Sequence, residues 1–155
     1  MAILLSSGVL LAGQQAKTPM TASERLAIEK AVADRHAQTL EDAERLDLDK
    51  AIESILETDK GAFIRDGELL LTRKDVYEAF KVAYAGLEKQ DIQVGRQNVI
   101  VLAPDIALLV GEGRSTSTTK DGQTFSFPWA GTVVYVLRDG EWKVIHAHQS
   151  VPRIP

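Results

Sequence analysis

Two histidines, His146 and His148, stand two residues apart near the end of a chain that holds three histidines and no cysteine. Glu112 and Arg114 lie upstream, also two apart, and Phe125, Phe127, Trp129 and Tyr135 follow at odd positions. An imidazole beside a carboxylate can act as a general acid–base pair, the carboxylate orienting the ring and raising its pKa. The same pair can instead be a buried hydrogen-bonded link that stiffens a sheet. An arginine fork suits a carboxylate-bearing ligand, or an internal salt bridge to a glutamate two residues away. His146-x-His148 would put two imidazoles on one face of a strand, with Glu112 as a third candidate ligand. Their separation of about 6.6 Å along the strand does not specify a metal site, so no metal is assigned. No phosphate-binding loop is present, and no cofactor is assigned.

Something must carry these residues to one place. The chain has 155 residues, 45% hydrophobic and 26% charged, which suits one domain with a real core. Its net charge of −4 gives no basic surface for nucleic acid. The absence of cysteine excludes disulfide scaffolds, zinc ribbons and thiol catalysis. Ala2–Ala12 is an apolar run too short to span a bilayer, which needs about 20 residues. It matches the apolar core of a secretory signal peptide. Residues 1–19 are therefore read as a signal peptide or disordered tail, and 20–155 as the domain. Export to the periplasm or beyond is expected, with a cytoplasmic location as the alternative. Gln14 stands where a lipidated cysteine would be, so no stable membrane anchor is expected.

Thr21-Ala-Ser-Glu24 is a capping box and predicts a helix start. Ile28, Val32, His36, Leu40, Ala43 and Leu46 then recur at helical spacing and form one apolar stripe. His36 lies on that stripe as a core histidine that can also reach the interior beside the sheet. A short helix follows from Asp47. Phe63–Arg65 and Leu69–Leu71 read as a small hairpin, and Thr72 to Asp75 caps a third helix bearing Tyr77 and Tyr84. Strands are predicted over about 92–102, 106–118, 123–138 and 141–151, with turns at Pro104-Asp105, Asp121-Gly122 and Asp139-Gly140. The fold class is α+β: three N-terminal helices packed on a strongly curved, mainly antiparallel sheet.

The turns set the register. Two-residue loops at both Asp-Gly pairs would bring Gln97, Glu112, Gly131 and His148 into one cross-strand row. Arg114, Trp129 and Ser150 would form the next, beside Val110, Val133 and His146. Phe127 and Tyr135 share that face. This predicts an apolar pocket with convergent polar groups, the usual form of a small-molecule site. His148 and Glu112 are its candidate acid–base pair. Arg114, Trp129, Tyr135, His146, Gln97, Phe127 and Ser150 are its candidate ligand contacts. The opposite face would expose Ile100, Leu102, Ala107, Leu109, Thr132, Val134, Val136, Ile145 and Ala147. It predicts a homodimer through the sheet.

Three helices feeding such a sheet resemble the nuclear transport factor 2-like superfamily. The ending Asp139-Gly-Glu-Trp-Lys-Val-Ile-His-Ala-His-Gln-Ser150 resembles its SnoaL-like branch, and is also similar to the association domain of calcium/calmodulin-dependent kinase II. The resemblance implies a cone-shaped, usually dimeric domain over residues 20 to 152. Superfamily members include isomerases, dehydratases, polyketide cyclases and noncatalytic binding or assembly domains. The resemblance thus implies a small-molecule-binding domain, or an isomerase-, dehydratase- or cyclase-type enzyme, or an assembly module. The aspartates on which its isomerases and cyclases rely have no counterpart on the predicted inner face. Asp47 and Asp49 are the nearest candidates.

Overall fold

The computed structural model describes residues 19–152. The predicted export segment lies outside the described residues, as do residues 153–155. Three helices, α1 (Ala22–Glu44), α2 (Leu48–Glu53) and α3 (Arg73–Tyr84), pack on six strands. The strands are β1 (Phe63–Arg65), β2 (Glu68–Leu70), β3 (Leu87–Ala103), β4 (Ile106–Thr119), β5 (Thr124–Arg138) and β6 (Glu141–Ser150). The α+β expectation holds. The small hairpin joins the meander: β1 runs parallel to β6, and the sheet order is β2-β1-β6-β5-β4-β3. The sheet is therefore six-stranded and mixed.

The predicted helix starts at Thr21, Asp47 and Thr72 are built as expected. Thr21 and Glu24 cap α1 reciprocally, and Thr72 and Asp75 do the same for α3. The core forms where Val32 of α1, Ile52 of α2 and Val76 of α3 meet Leu109, Tyr135, Val144 and Ala147 of the sheet.

The register decides which side chains face that core. At Asp139-Gly140 both residues have positive φ, 52° and 80°, and Arg138 pairs with Glu141. This is the predicted two-residue turn. The Asp121-Gly122 loop is longer. Thr119 N–H donates to the Gln123 carbonyl at 2.9 Å, so three residues, Lys120 to Gly122, make the loop, with Gly122 at φ 87°. That is a helical-type turn closed by a left-handed residue. The extra residue slips β4 by one, so Gly113 pairs with Trp129 and Gly111 with Gly131. The β3–β4 register slips in step, pairing Val99 with Leu109 and Gln97 with Gly111. On β6 a bulge at Ile145 separates the pair Tyr135–Val144 from the pair Val134–His146.

A one-residue slip turns every following side chain to the other face. Glu112 and Arg114 on β4, and His146, His148 and Ser150 on β6, therefore point away from the helices, contrary to expectation. Ala107, Leu109 and Ala147, predicted for the outer face, are buried inside at 0%, 2% and 5% exposure. The β5 prediction stands: Phe127, Trp129 and Tyr135 face inward.

Candidate functional site

Between the three helices and the inner sheet face lies a cavity of about 430 Å³. That volume is in the usual range for a small-molecule pocket. Phe63 and Phe80 pack edge to face at 5.6 Å, and Phe125 and Phe127 stack at 6.1 Å along one side. Trp129, Val133 and Val144 continue the apolar wall. Short side chains leave the room: Gly131, Ser115 and Ser117 line it from β4 and β5. Gly113 lies beneath the Trp129 indole. A Cβ there would fall 2.5 Å from Trp129 Cζ2 and 2.3 Å from the Gln93 carbonyl oxygen.

Of the polar groups the sequence pointed to, Tyr135 lies in the wall, and His36 of the α1 stripe joins it there. His36 of α1, 8% exposed, places Nδ1 2.9 Å from the hydroxyl of the fully buried Tyr135. The rings meet edge to face, their planes at 88°. Burial pulls the His36 pKa down to about 4, so the ring is neutral at ordinary pH. The Tyr135 phenol is pushed well above its ordinary value, again by burial. Burial also raises Tyr84, whose neighbour Gln90 donates to the Ala43 carbonyl at 3.1 Å. Arg65 and Asp66 are the charged residues of the lining. The Arg65 guanidinium sits 5.0 Å over the Phe80 ring and its Nε is 3.2 Å from Asp66 Oδ2.

Ser54, the C-cap of α2, lines the same cavity and is fully buried. Its Oγ is the one buried side-chain oxygen or nitrogen without a hydrogen bond among the described residues. An unpaired buried hydroxyl costs stability. Ser54→Ala is expected to raise unfolding stability by about 1 kcal/mol, read from the urea midpoint. A loss of stability would show that the hydroxyl has a partner.

The expected acid–base pair is not assembled. Glu112 accepts from Arg96 Nε at 2.8 Å, and that partner holds its carboxyl below the usual range. It sits opposite Ala130, whereas His148 sits opposite Thr132 two strands away and is exposed. Arg114 is exposed beside Ser126 and is no cavity cation. His146 Nδ1 is 2.9 Å from the Gly61 carbonyl. Ser150 is exposed opposite Ala130, and its neighbour Gln149 lines the cavity instead. Gln97 shares a row with Gly111 but lies outside the lining. Asp47 caps α2, accepting from Lys50 N–H at 3.3 Å, and Asp49 lines a separate groove. Among the described residues, no group of three metal-ligating side chains converges. Phe127, Trp129 and Tyr135 are the expected contacts that the cavity contains.

Residues 32–154 match the family model of the SnoaL-like domain. A Salmonella enterica nuclear transport factor 2-like superfamily protein superposes with a TM-score of 0.70 at 16% identity, over 87% of this chain and 95% of its own. Hexachlorocyclohexane dehydrochlorinase LinA-type3 from Novosphingobium barchaimii gives 0.71 at 14% identity, over 87% and 93%. A Xanthomonas campestris protein assigned as a calcium/calmodulin-dependent protein kinase II association domain gives 0.65 at 22%, over 94% and 100%. The comparison with curated proteins gives no match. At these identities the likeness to solved structures speaks for the fold alone. The match to the family model covers most of the chain, and with it the chain belongs to the SnoaL-like domain family.

Proposed function

We propose that the protein binds a small, largely apolar molecule inside the cone and does so as a homodimer through the outer sheet face. The observation that carries the binding reading is the cavity of about 430 Å³ walled by aromatics and aliphatics around a few polar groups. Catalysis of the isomerase or cyclase type needs a base. Asp66 is the carboxylate of the described lining, and Arg65 pairs with it. Burial makes the His36 imidazole a weak base, its pKa pulled down to about 4, and its Nδ1 is engaged with the Tyr135 hydroxyl at 2.9 Å. Binding is therefore the better reading.

The outer face supports the dimer. Ile100, Leu108, Val134 and His146 form one cross-strand row. Ile100, Leu102 and Ile145 are 46%, 60% and 36% exposed on that side. Contiguous apolar surface of this kind is normally covered, and a twofold self-contact covers it with one patch.

A native mass spectrum of protein purified gently from its own host tests both parts. A dimer carrying a defined extra mass is expected, and Ile100→Lys is expected to give a monomer that keeps the adduct. A wild-type monomer would sink the sheet-face dimer. Failure of any apolar probe to bind in calorimetry would sink the pocket reading.

A further inference from the structure

We propose that the cavity recognises an uncharged molecule through a carbonyl oxygen, which accepts a hydrogen bond from His36 Nε2–H, with Tyr135 holding the imidazole in that tautomer. The inference rests on the binding reading above and names the chemistry of its ligand.

The Tyr135 hydroxyl is the starting point. Tyr135 is fully buried, and its hydroxyl has one hydrogen-bond partner among the described residues, His36 Nδ1 at 2.9 Å. A phenol in apolar surroundings must give its proton to an acceptor or bear the cost of an unpaired donor. Nδ1 is the acceptor at hand, so O–H donates to Nδ1. A neutral imidazole carries a single ring proton. With Nδ1 accepting, that proton is on Nε2. Burial keeps both groups in these forms, the phenol protonated and the ring uncharged.

Nε2 has no protein partner among the described residues, and it is not sealed off: the one buried orphan there is Ser54 Oγ. His36 lines the cavity. The wall thus presents, among its donors, an N–H fixed on a neutral ring. A carboxylate set against it would be a desolvated charge without a cation, which is costly. The guanidinium of the lining is already engaged with Asp66 and Phe80. A carbonyl oxygen accepts the bond and brings no further proton into an apolar wall. Tyr135 is a positioning residue in this arrangement, acting through His36.

Three two-ring probes of similar size separate the possibilities: 2-acetylnaphthalene, 2-ethylnaphthalene and 2-naphthoate, each titrated into the full chain by calorimetry. The ketone is expected to bind about tenfold tighter than the ethyl compound, the worth of one well-placed hydrogen bond. That gap should close in His36→Leu and shrink in Tyr135→Phe. Imidazole ¹⁵N shifts of the wild-type protein should show Nε2 protonated and Nδ1 bare, and Tyr135→Phe should mix the two tautomers. The spectrum needs no variant, so the proposal stays testable if His36→Leu does not fold. Equal binding of ketone and ethyl compound would overturn it, as would a gap that survives in His36→Leu, tightest binding by the naphthoate, or an Nδ1–H tautomer. In each of these cases the cavity reading stands. If none of the three probes binds, the cavity reading fails and this inference goes with it.

Discussion

Gly113→Ala is expected to lower unfolding stability by about 3 kcal/mol, with the urea midpoint as the measurement. The position is occupied from both sides. The new methyl would meet the Gln93 carbonyl oxygen at 2.3 Å and the Trp129 ring at 2.5 Å. Neither neighbour yields easily. The first is backbone of the adjacent strand, beside the β3 irregularity between Val94 and Gln97. The second is a ring held in the cavity wall. Overpacking of this kind costs more when the obstacle is backbone than when a flexible side chain can swing away. The same substitution should push Trp129 out of its seat and weaken binding of any apolar probe. A loss below about 1 kcal/mol would mean that β3 and β4 part freely there and that Gly113 is not what seats the indole.

The second large effect is acid destabilisation through His36. Its folded pKa is about 4 against 6.5 for the free side chain, and desolvation is the cause. Tyr135 of β5 faces it, and Arg35, one residue away on α1, acts on Tyr135. A group whose folded pKa is depressed binds fewer protons in the native state than in the unfolded one. Stability is then unaffected above about pH 6.5 and falls as the pH drops from there towards 4. The full loss is about 3 kcal/mol. The exposed carboxylates also lose their partners in acid, so the wild-type curve alone mixes both effects. The difference between wild type and His36→Leu isolates the histidine. Two curves of constant separation from pH 7 to 4 would show that His36 is protonated in the folded protein as readily as in water.

Much of the architecture was readable from local chemistry. The capping boxes at Thr21 and Thr72 and the Asp139-Gly140 turn are short-range signals, each satisfied by atoms a few residues apart. All three appear in the structure as read. The inner face of β5 was also legible, because its aromatics sit at strict alternation within one unbroken strand. The rows across strands were not. They depended on counting residues through two turns, and one Asp-Gly pair closes a three-residue loop instead of a two-residue one. One added residue there, and one bulged residue at Ile145, turned Glu112, Arg114, His146 and His148 outward.

A signal against the error was present. On β4, Glu112 and Arg114 share one phase while Gly111, Gly113, Ser115 and Ser117 share the other. Charged side chains belong in water, and small ones fit the crowded concave face of a curved sheet. Given that weight, the composition of the two phases opposes the turn arithmetic and agrees with the structure. His36 was legible as a buried histidine on the α1 stripe, and its partner was not. Tyr135 lies 99 residues away, and only the docking of α1 across β5 brings the two together.

The division follows from the range of the forces involved. Helix caps, turn dihedrals, hydrophobic period and the alternation within a strand act over a few residues, so the chain specifies them wherever it is. They settled the fold class, the order of the elements and the aromatic wall. Cross-strand register and the meeting of α1 with β5 are set by loop closure and packing over the whole domain. A single residue gained in one loop reverses a face without altering any local preference. That is why the pairing of His36 with Tyr135, and the unpaired Ser54 beside them in the cavity, belong to the tertiary structure alone.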